Sequence, residues 1–121
     1  MTEEYPAGVQ RIVARITDPW PATVEVSPGW YPLLESLEHH LAALAPDYVV
    51  HQVKSKFGAL SFFAASSTNP EEYSEEFNAA ILAAEWKSIV TCELCGAPAR
   101  QYTIQLWTWT LCATHSAEKS A

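Results

Sequence analysis

The cysteines of this chain stand in a spacing that is typical of a metal site. Cys92 and Cys95 have two residues between them, and Cys112 and His115 repeat that spacing further along the chain. A pair at this distance can bind one ion from a tight turn, and two such pairs complete a tetrahedral set of soft ligands. The chain contains three cysteines, so the pattern uses all of them. We predict a Cys₃His site for Zn²⁺.

The closed ligand set favours a structural ion over a catalytic one, because four protein ligands leave no position for water. A thioredoxin-like redox pair at Cys92 and Cys95 is the rival interpretation. It leaves Cys112 and His115 without a role and lacks the usual strand before the motif. A zinc deaminase would need an upstream His-x-Glu and a proline before the cysteine pair, where this chain has Thr91.

Other catalytic patterns are missing from the sequence. There is no glycine-rich phosphate loop, no nucleophile elbow and no cysteine left for nucleophilic catalysis. His39 and His40 are adjacent in a predicted helix and point about 100° apart, so they cannot readily share an ion. We interpret them as part of a solvated helix face and predict that the protein is not an enzyme.

Two groups of residues are candidates for binding a protein partner. The first is acidic and lies on the first turns of a predicted helix, where negative charge also suits the helix dipole. The second is a pair of tryptophans on one face of a predicted strand. The tryptophans could pack the metal-binding segment against the core, which we favour, or form an exposed hot spot or stacking platform. The candidates are Glu71, Glu72, Glu75, Glu76, Trp107 and Trp109.

A nucleic-acid-binding role is the alternative, with Lys54, Lys56 and Arg100 as the candidate contacts. The formal net charge of -7 opposes it, because an acidic surface repels phosphate backbones. The same charge opposes docking on anionic membranes. Lysines in a hairpin more commonly protect the sheet edge against pairing with other chains.

Hydrophobic periodicity predicts helices over residues 8–17, from Trp30 to Leu44, and over residues 70–90, with strands over residues 23–26, 48–53 and 59–65. Two β-rich segments, residues 102–104 and 106–111, precede Cys112. Asn69 is the expected cap of the third helix, with Pro70 at its first position and Glu72 completing a capping box. Its buried face is expected to comprise Tyr73, Phe77, Ile81 and Ala84.

These elements predict an α+β fold in which a small antiparallel sheet of about three strands packs with three helices, followed by a C-terminal zinc ribbon or knuckle. We expect an α+β core over residues 1–90, a zinc ribbon packed on it over residues 91–116, and a mobile tail over residues 117–121. Gly58 is expected in a hairpin loop of residues 54–58. Phe62 and Phe63 predict cover on both faces of their strand.

The composition and the ends of the chain indicate a globular cytoplasmic protein. Hydrophobic residues make up 49% and charged residues 17% of the sequence. No apolar run is long enough for a membrane span, and the first residues lack the features of a signal peptide. Three thiols that cannot all pair with one another suit a reducing compartment.

Several stretches together resemble a family of small bacterial and phage proteins that carry a C-terminal CxxC…CxxH zinc-ribbon-like module. They are Gly29-Trp30, the segment Val53–Phe63, Cys92-Glu93-Leu94-Cys95-Gly96-Ala97-Pro98 and Thr110–His115. In that family a basic residue is usual where Ser61 stands here, and a glycine-rich turn is common where Gln105-Leu106 stands. The resemblance implies the metal and the outline of the fold, and it implies no activity.

The expected function is therefore a non-enzymatic, zinc-binding protein-interaction module. Given the acidity and the resemblance, an inhibitor of a bacterial host or defence factor is its specific form. The nucleic-acid-binding zinc ribbon remains the alternative, and a redox or hydrolytic enzyme is the third hypothesis. The sequence does not determine the oligomeric state.

Overall fold

The computed structural model describes residues 5–69 and 71–120. Within these ranges the chain forms an α+β fold with four α-helices and two small sheets. The helices are α1 (Ala7–Ala14), α2 (Tyr31–Leu44), α3 (Glu75–Ser88) and α4 (Ala113–Ser120). The strands are β1 (Val24–Glu25), β2 (Val49–Lys56), β3 (Ala59–Ala65), β4 (Arg100–Ile104) and β5 (Trp107–Leu111). A 3₁₀ turn, Pro28–Trp30, precedes α2.

The first sheet has the strand order β1-β2-β3 and is mixed rather than antiparallel. β2 and β3 form the expected antiparallel hairpin, but β1 pairs with β2 in parallel, with Val24 opposite Val53. The expectation of a fully antiparallel sheet is wrong because α2 lies between β1 and β2 and returns the chain in the same direction, as parallel strands require.

The β2–β3 hairpin closes through two residues instead of the predicted five-residue loop. Phe57 and Gly58 both have positive φ, 54° and 76°, and the strand pairing continues to Lys56 opposite Ala59. Positive φ at both central residues is the type I′ geometry that fits the twist of a two-residue hairpin. The alternation of the strand thus extends through Lys54 and Lys56, which had been expected in the loop.

Helix α3 begins at Glu75, five residues after the predicted first helical position, Pro70. Ser74 is its cap, and its hydroxyl accepts a hydrogen bond from the Phe77 N–H at 3.2 Å. Asn69 instead accepts from the Glu71 N–H at 3.0 Å in a local turn, while Pro70 lies outside the described residues. The predicted cap is therefore wrong. Tyr73 precedes the helix and is exposed, whereas the other three predicted core positions of α3 are buried.

Helices α1, α2 and α3 pack with the first sheet around one core, in which Trp30, Leu34 and Leu41 are fully buried. Helix α3 also covers the free edge of β3: Ser88 Oγ accepts from the Leu60 N–H at 2.9 Å, and Glu85 accepts from the Phe62 N–H at 3.0 Å. These bonds protect the sheet edge. The sequence predicts that both faces of β3 are covered. Phe62 is buried, but Phe63 on the other face of the strand is exposed, so that prediction is wrong for Phe63.

Glu38 is a buried carboxylate that joins α1 to α2. It accepts from Arg11 Nε and Arg15 Nε, each at 3.2 Å, and from the Tyr48 hydroxyl at 3.0 Å. Desolvation, followed by the charge of Glu38, raises the pKa of Tyr48. The two arginines and the hydroxyl offset the desolvation cost of burying the Glu38 carboxylate.

Residues 91–120 form the second part of the fold, which we call the metal module. The two predicted β-rich segments become its strands β4 and β5, which form an antiparallel hairpin, and α4 follows directly. Residues 117–120, expected as part of a mobile tail, lie in this helix, and Ala121 lies outside the described residues. None of the described helices has the length and apolar character that a membrane crossing needs.

Candidate metal centre

The first pair of candidate ligands is presented by a tight turn directly after α3. The Cys92 N–H donates to the Ala97 carbonyl at 2.8 Å, and the Gly96 N–H donates to the Cys92 carbonyl at 2.9 Å. Gly96 has a φ of 82°, a conformation that glycine adopts without a steric cost. We call this turn, residues 92–97, the knuckle. It holds both thiols on one side of the chain.

The second pair is carried by the junction of a strand and a helix. Cys112 follows the last residue of β5, and His115 lies in the first turn of α4. The Cys112 Sγ accepts from the His115 N–H at 3.5 Å, so the sulfur also caps the start of the helix. The pair therefore belongs to a knuckle–hairpin–helix unit, and not to a ribbon with two equivalent turns.

The four side chains converge as the spacing predicts. Their ligand atoms all lie within 4.8 Å of one another. Cys95 Sγ is 3.8 Å from Cys112 Sγ, and His115 Nδ1 is 3.5 Å from Cys92 Sγ and 3.3 Å from Cys112 Sγ. A tetrahedral ion bound at the usual zinc distances separates its ligand atoms by about 3.5–3.8 Å. The cluster could therefore hold a metal ion, and the donor set fits one.

The surroundings of the thiols favour thiolate at Cys92. Burial raises the pKa of this thiol, but backbone N–H groups of Cys112, Cys95 and Leu94 and the His115 ring together lower it to about 6. At Cys95 the Ala97 N–H lowers the pKa, yet desolvation and the neighbouring sulfurs of Cys92 and Cys112 raise it overall. Crowded thiolates repel one another, and a bound cation removes that penalty.

Glu118 is a functional candidate that the sequence analysis missed. Its carboxylate lies 4.0 Å from His115 Nε2, the ring nitrogen that faces away from the sulfurs. Carboxylates in this position orient a metal-bound imidazole and strengthen it as a ligand. The i to i+3 spacing from His115 would have indicated the contact if α4 had been predicted.

Glu93, between the two knuckle cysteines, joins the metal module to the core. Only 3% of this residue is exposed. Its carboxylate accepts from Ser55 Oγ of β2 at 3.2 Å and from the Thr110 N–H of β5 at 2.8 Å. Desolvation raises the pKa of Glu93, although these bonds partly oppose the rise. No spacing rule marks a residue between two ligands, so its burial could not be predicted from the sequence.

The core side of this contact is the Gly29-Trp30 pair. The Gly29 N–H donates to the Glu93 carbonyl at 2.8 Å, and Trp30 Nε1 donates to the Thr91 carbonyl at 2.8 Å. A Cβ atom at Gly29 would lie 2.3 Å from the Cys92 carbonyl oxygen, so only glycine fits. A further hydrogen bond runs from the Thr110 hydroxyl to the Gly58 carbonyl in the β2–β3 turn.

The structure does not bring the predicted partner-binding residues together into one site. Glu75 and Glu76 lie in the first turn of α3, Glu71 and Glu72 precede it, and all four are exposed. Lys54 and Lys56 lie on β2, whereas Arg100 lies on β4 and donates to the Tyr102 hydroxyl at 3.1 Å.

The tryptophans of β5 line a surface of the metal module. Trp107 is 57% exposed and Trp109 is half-buried, with their ring centroids 6.3 Å apart. Contact with the core is made by Thr110 on the other face of the strand, through Gly58 and Glu93. The favoured interpretation, in which both tryptophans pack on the core, therefore does not describe Trp107.

Comparison of the chain with protein-family models, with curated proteins and with solved structures finds no match. The structure itself shows a Cys₃His cluster that could hold a metal ion. The function of the site is therefore argued from its own geometry.

Proposed function

We propose that this protein is a non-enzymatic interaction module, stabilised by Zn²⁺, that binds a protein partner through the turns of its two hairpins. Three thiols and one imidazole at tetrahedral separations are the ligand set that suits Zn²⁺ in structural sites. All four positions come from the chain, so the ion serves to hold the metal module together rather than to bind a substrate.

The observation that carries the proposal is the nature of the two hairpin turns. Phe57 and Leu106 have φ values of 54° and 68°, a backbone region that large side chains rarely adopt. Both are exposed, at 74% and 98% respectively. Asn-Gly would form either turn with less strain. Neither the backbone nor the core requires these residues, and strained backbone positions cluster at ligand-binding and other functional sites.

The charge of the chain favours a basic partner. The net charge of -7 and the exposed glutamates at and before the start of α3 repel acidic proteins and attract basic ones. Glu71, Glu72, Glu75 and Glu76 would steer such a partner, and the apolar turns would supply the contact. An inhibitor of a bacterial host or defence factor is the specific form of this function that the sequence resemblance favours.

The test compares the wild-type protein with the Phe57→Asn/Leu106→Gly double variant as baits in affinity isolation from bacterial lysate. Both substitutions suit a left-handed turn, so we expect stability to be equal or higher by about 1 kcal/mol per position. We expect a protein recovered with the wild type to be lost with the double variant. Leu82→Ala, which removes an exposed apolar side chain from α3, is the matched control and should retain the partner.

The bound partner should then be confirmed with purified components, by titration at two salt concentrations. A basic partner binds more weakly at the higher salt concentration, because screening reduces the attraction. Recovery of the same proteins by wild type and double variant would contradict the proposal. Recovery of nucleic acid without protein would favour the nucleic-acid-binding alternative instead.

A further inference from the structure

A cleft of about 520 Å³ lies between the metal module and β1 of the core. Its walls combine the two aromatic rings of β5 with two carboxylates and two hydroxyls. The residues involved are Trp107, Trp109, Glu25, Glu93, Ser27 and Ser55. A volume of this size is within the range of small-ligand and side-chain pockets.

The buried wall of the cleft carries a carboxylate that forms no close ion pair. Glu93 has two hydrogen-bond donors, Ser55 Oγ and the Thr110 N–H, and it feels the charge of Lys119, but among the described residues no Lys, Arg or His lies within ion-pair distance of it. Glu25 pairs with Lys54 in the strand register, and again no ion pair forms between described groups. A buried carboxylate is costly unless a positive charge is nearby.

The aromatic wall is suited to the same kind of ligand. The face of an indole ring attracts cations, and tryptophan does so more strongly than other aromatic side chains. Trp109 already makes such a contact on the α4 side, where Lys119 Nζ lies 4.1 Å from its ring centroid. Trp107, tilted by 56° to that ring, presents a second aromatic surface to the cleft.

We propose that this cleft binds a cationic side chain, a lysine or arginine, of the partner protein. The two indoles would enclose the alkyl stem and the charged head, while Glu25 at the rim and Glu93 on the buried wall would attract the charge. The hydroxyls of Ser27 and Ser55 can accept hydrogen bonds from an ammonium or guanidinium group. This inference rests on the proposed function for the source of the cation, but the chemistry of the cleft does not depend on the hairpin turns.

The test is a titration of the zinc-loaded, full-length protein with a short peptide, acetyl-Ala-Lys-Ala-amide, followed by the indole N–H signals in NMR. The same peptide with an acetylated lysine is the neutral control. We expect the Trp107 and Trp109 signals to shift and saturate with the lysine peptide, and to stay unchanged with the acetylated one. An arginine peptide should bind as well, because guanidinium groups stack on aromatic faces.

Two substitutions locate the binding in the cleft. Trp107→Leu removes one aromatic wall and should weaken binding about fivefold. Glu25→Gln should weaken it by a similar factor and reduce its dependence on salt. Trp86→Leu and Asp47→Asn change an exposed tryptophan and an exposed aspartate elsewhere and should leave the affinity unchanged. No indole shift, or equal weakening by cleft and control variants, would overturn the inference.

Butylamine, which like the peptide carries one positive charge, distinguishes a free amine from a protein side chain. If the peptide binds more tightly than butylamine, the inference and the proposed function are both supported. If butylamine binds more tightly and no protein partner is recovered, the cleft is a cation site but the proposed function fails. If a partner depends on Phe57 and Leu106 while no lysine or arginine peptide shifts the indole signals, the proposed function stands and this inference fails.

Discussion

Gly29 lies where the backbone of the core meets the backbone of the knuckle, and this makes it a sensitive test of the packing between them. A Cβ atom there would lie 2.3 Å from the Cys92 carbonyl oxygen and 2.5 Å from the Glu93 carbonyl carbon. Both are backbone atoms, so relief requires the knuckle to move. We expect Gly29→Ala to lower the free energy of unfolding by about 2–3 kcal/mol in urea titrations of the zinc-loaded protein.

Gly8→Ala is the matched control for this effect. A Cβ atom at Gly8 would also be crowded, with Glu35 Cγ at 2.6 Å and Glu35 Cβ at 2.9 Å, so relief requires a new Glu35 rotamer and a small shift of α1 from α2, whereas Gly29→Ala meets two backbone carbonyl groups. Alanine is also a better helix former than glycine by about 1 kcal/mol, which offsets the cost in α1. If Gly29→Ala were no less stable than Gly8→Ala, the close approach of knuckle and core would be contradicted.

At the scale of the elements, the start of α3 can be tested directly, because the sequence predicts Asn69 as the cap of the helix and the structure has Ser74 there. Ser74 Oγ accepts the Phe77 N–H, whereas Asn69 serves a turn before the helix. We therefore expect Ser74→Ala to cost about 1 kcal/mol in thermal or urea unfolding, as loss of a helix cap does. Asn69→Ala should cost distinctly less. If Asn69→Ala lowered the stability more than Ser74→Ala, the helix start predicted from the sequence would be supported instead.

The elements also show which features the sequence can predict. The convergence of Cys92 with His115 follows from local spacing, and α2 follows from a long apolar stripe. The cap of α3 was mistaken because Asn69, Pro70 and Glu72 form a complete local signature. Phe77 packs on Tyr48 with ring centroids 5.5 Å apart. This tertiary contact favours a helix that begins near Phe77, with Ser74 as its cap. Parallel pairing of β1 and burial of Glu93 depend on residues far apart in the chain, which no local pattern encodes.

At the scale of the whole molecule, the core and the metal module share one set of contacts, so metal binding should stabilise more than its own four ligands. Glu93 bonds to β2, Gly29 bonds to the knuckle, Trp30 bonds to Thr91 just before it, and Thr110 bonds to the β2–β3 turn. Without a bound cation the thiolates would repel one another, which would weaken these contacts together. Structural Zn²⁺ contributes on the order of 10 kcal/mol or more to small modules of this kind.

We therefore expect a chelator to unfold residues 91–116 and to loosen the end of α3 before them, measured by hydrogen exchange with and without metal. Amides of the knuckle, β4 and β5 should lose protection, and the N–H groups of Leu60 and Phe62, held by α3 side chains, should exchange faster. The Glu38 contacts between α1 and α2 lie away from the module and should change least. Restoring one equivalent of Zn²⁺ should reverse the change. Unaltered exchange across residues 92–115 after complete metal removal would contradict the structural role of the ion.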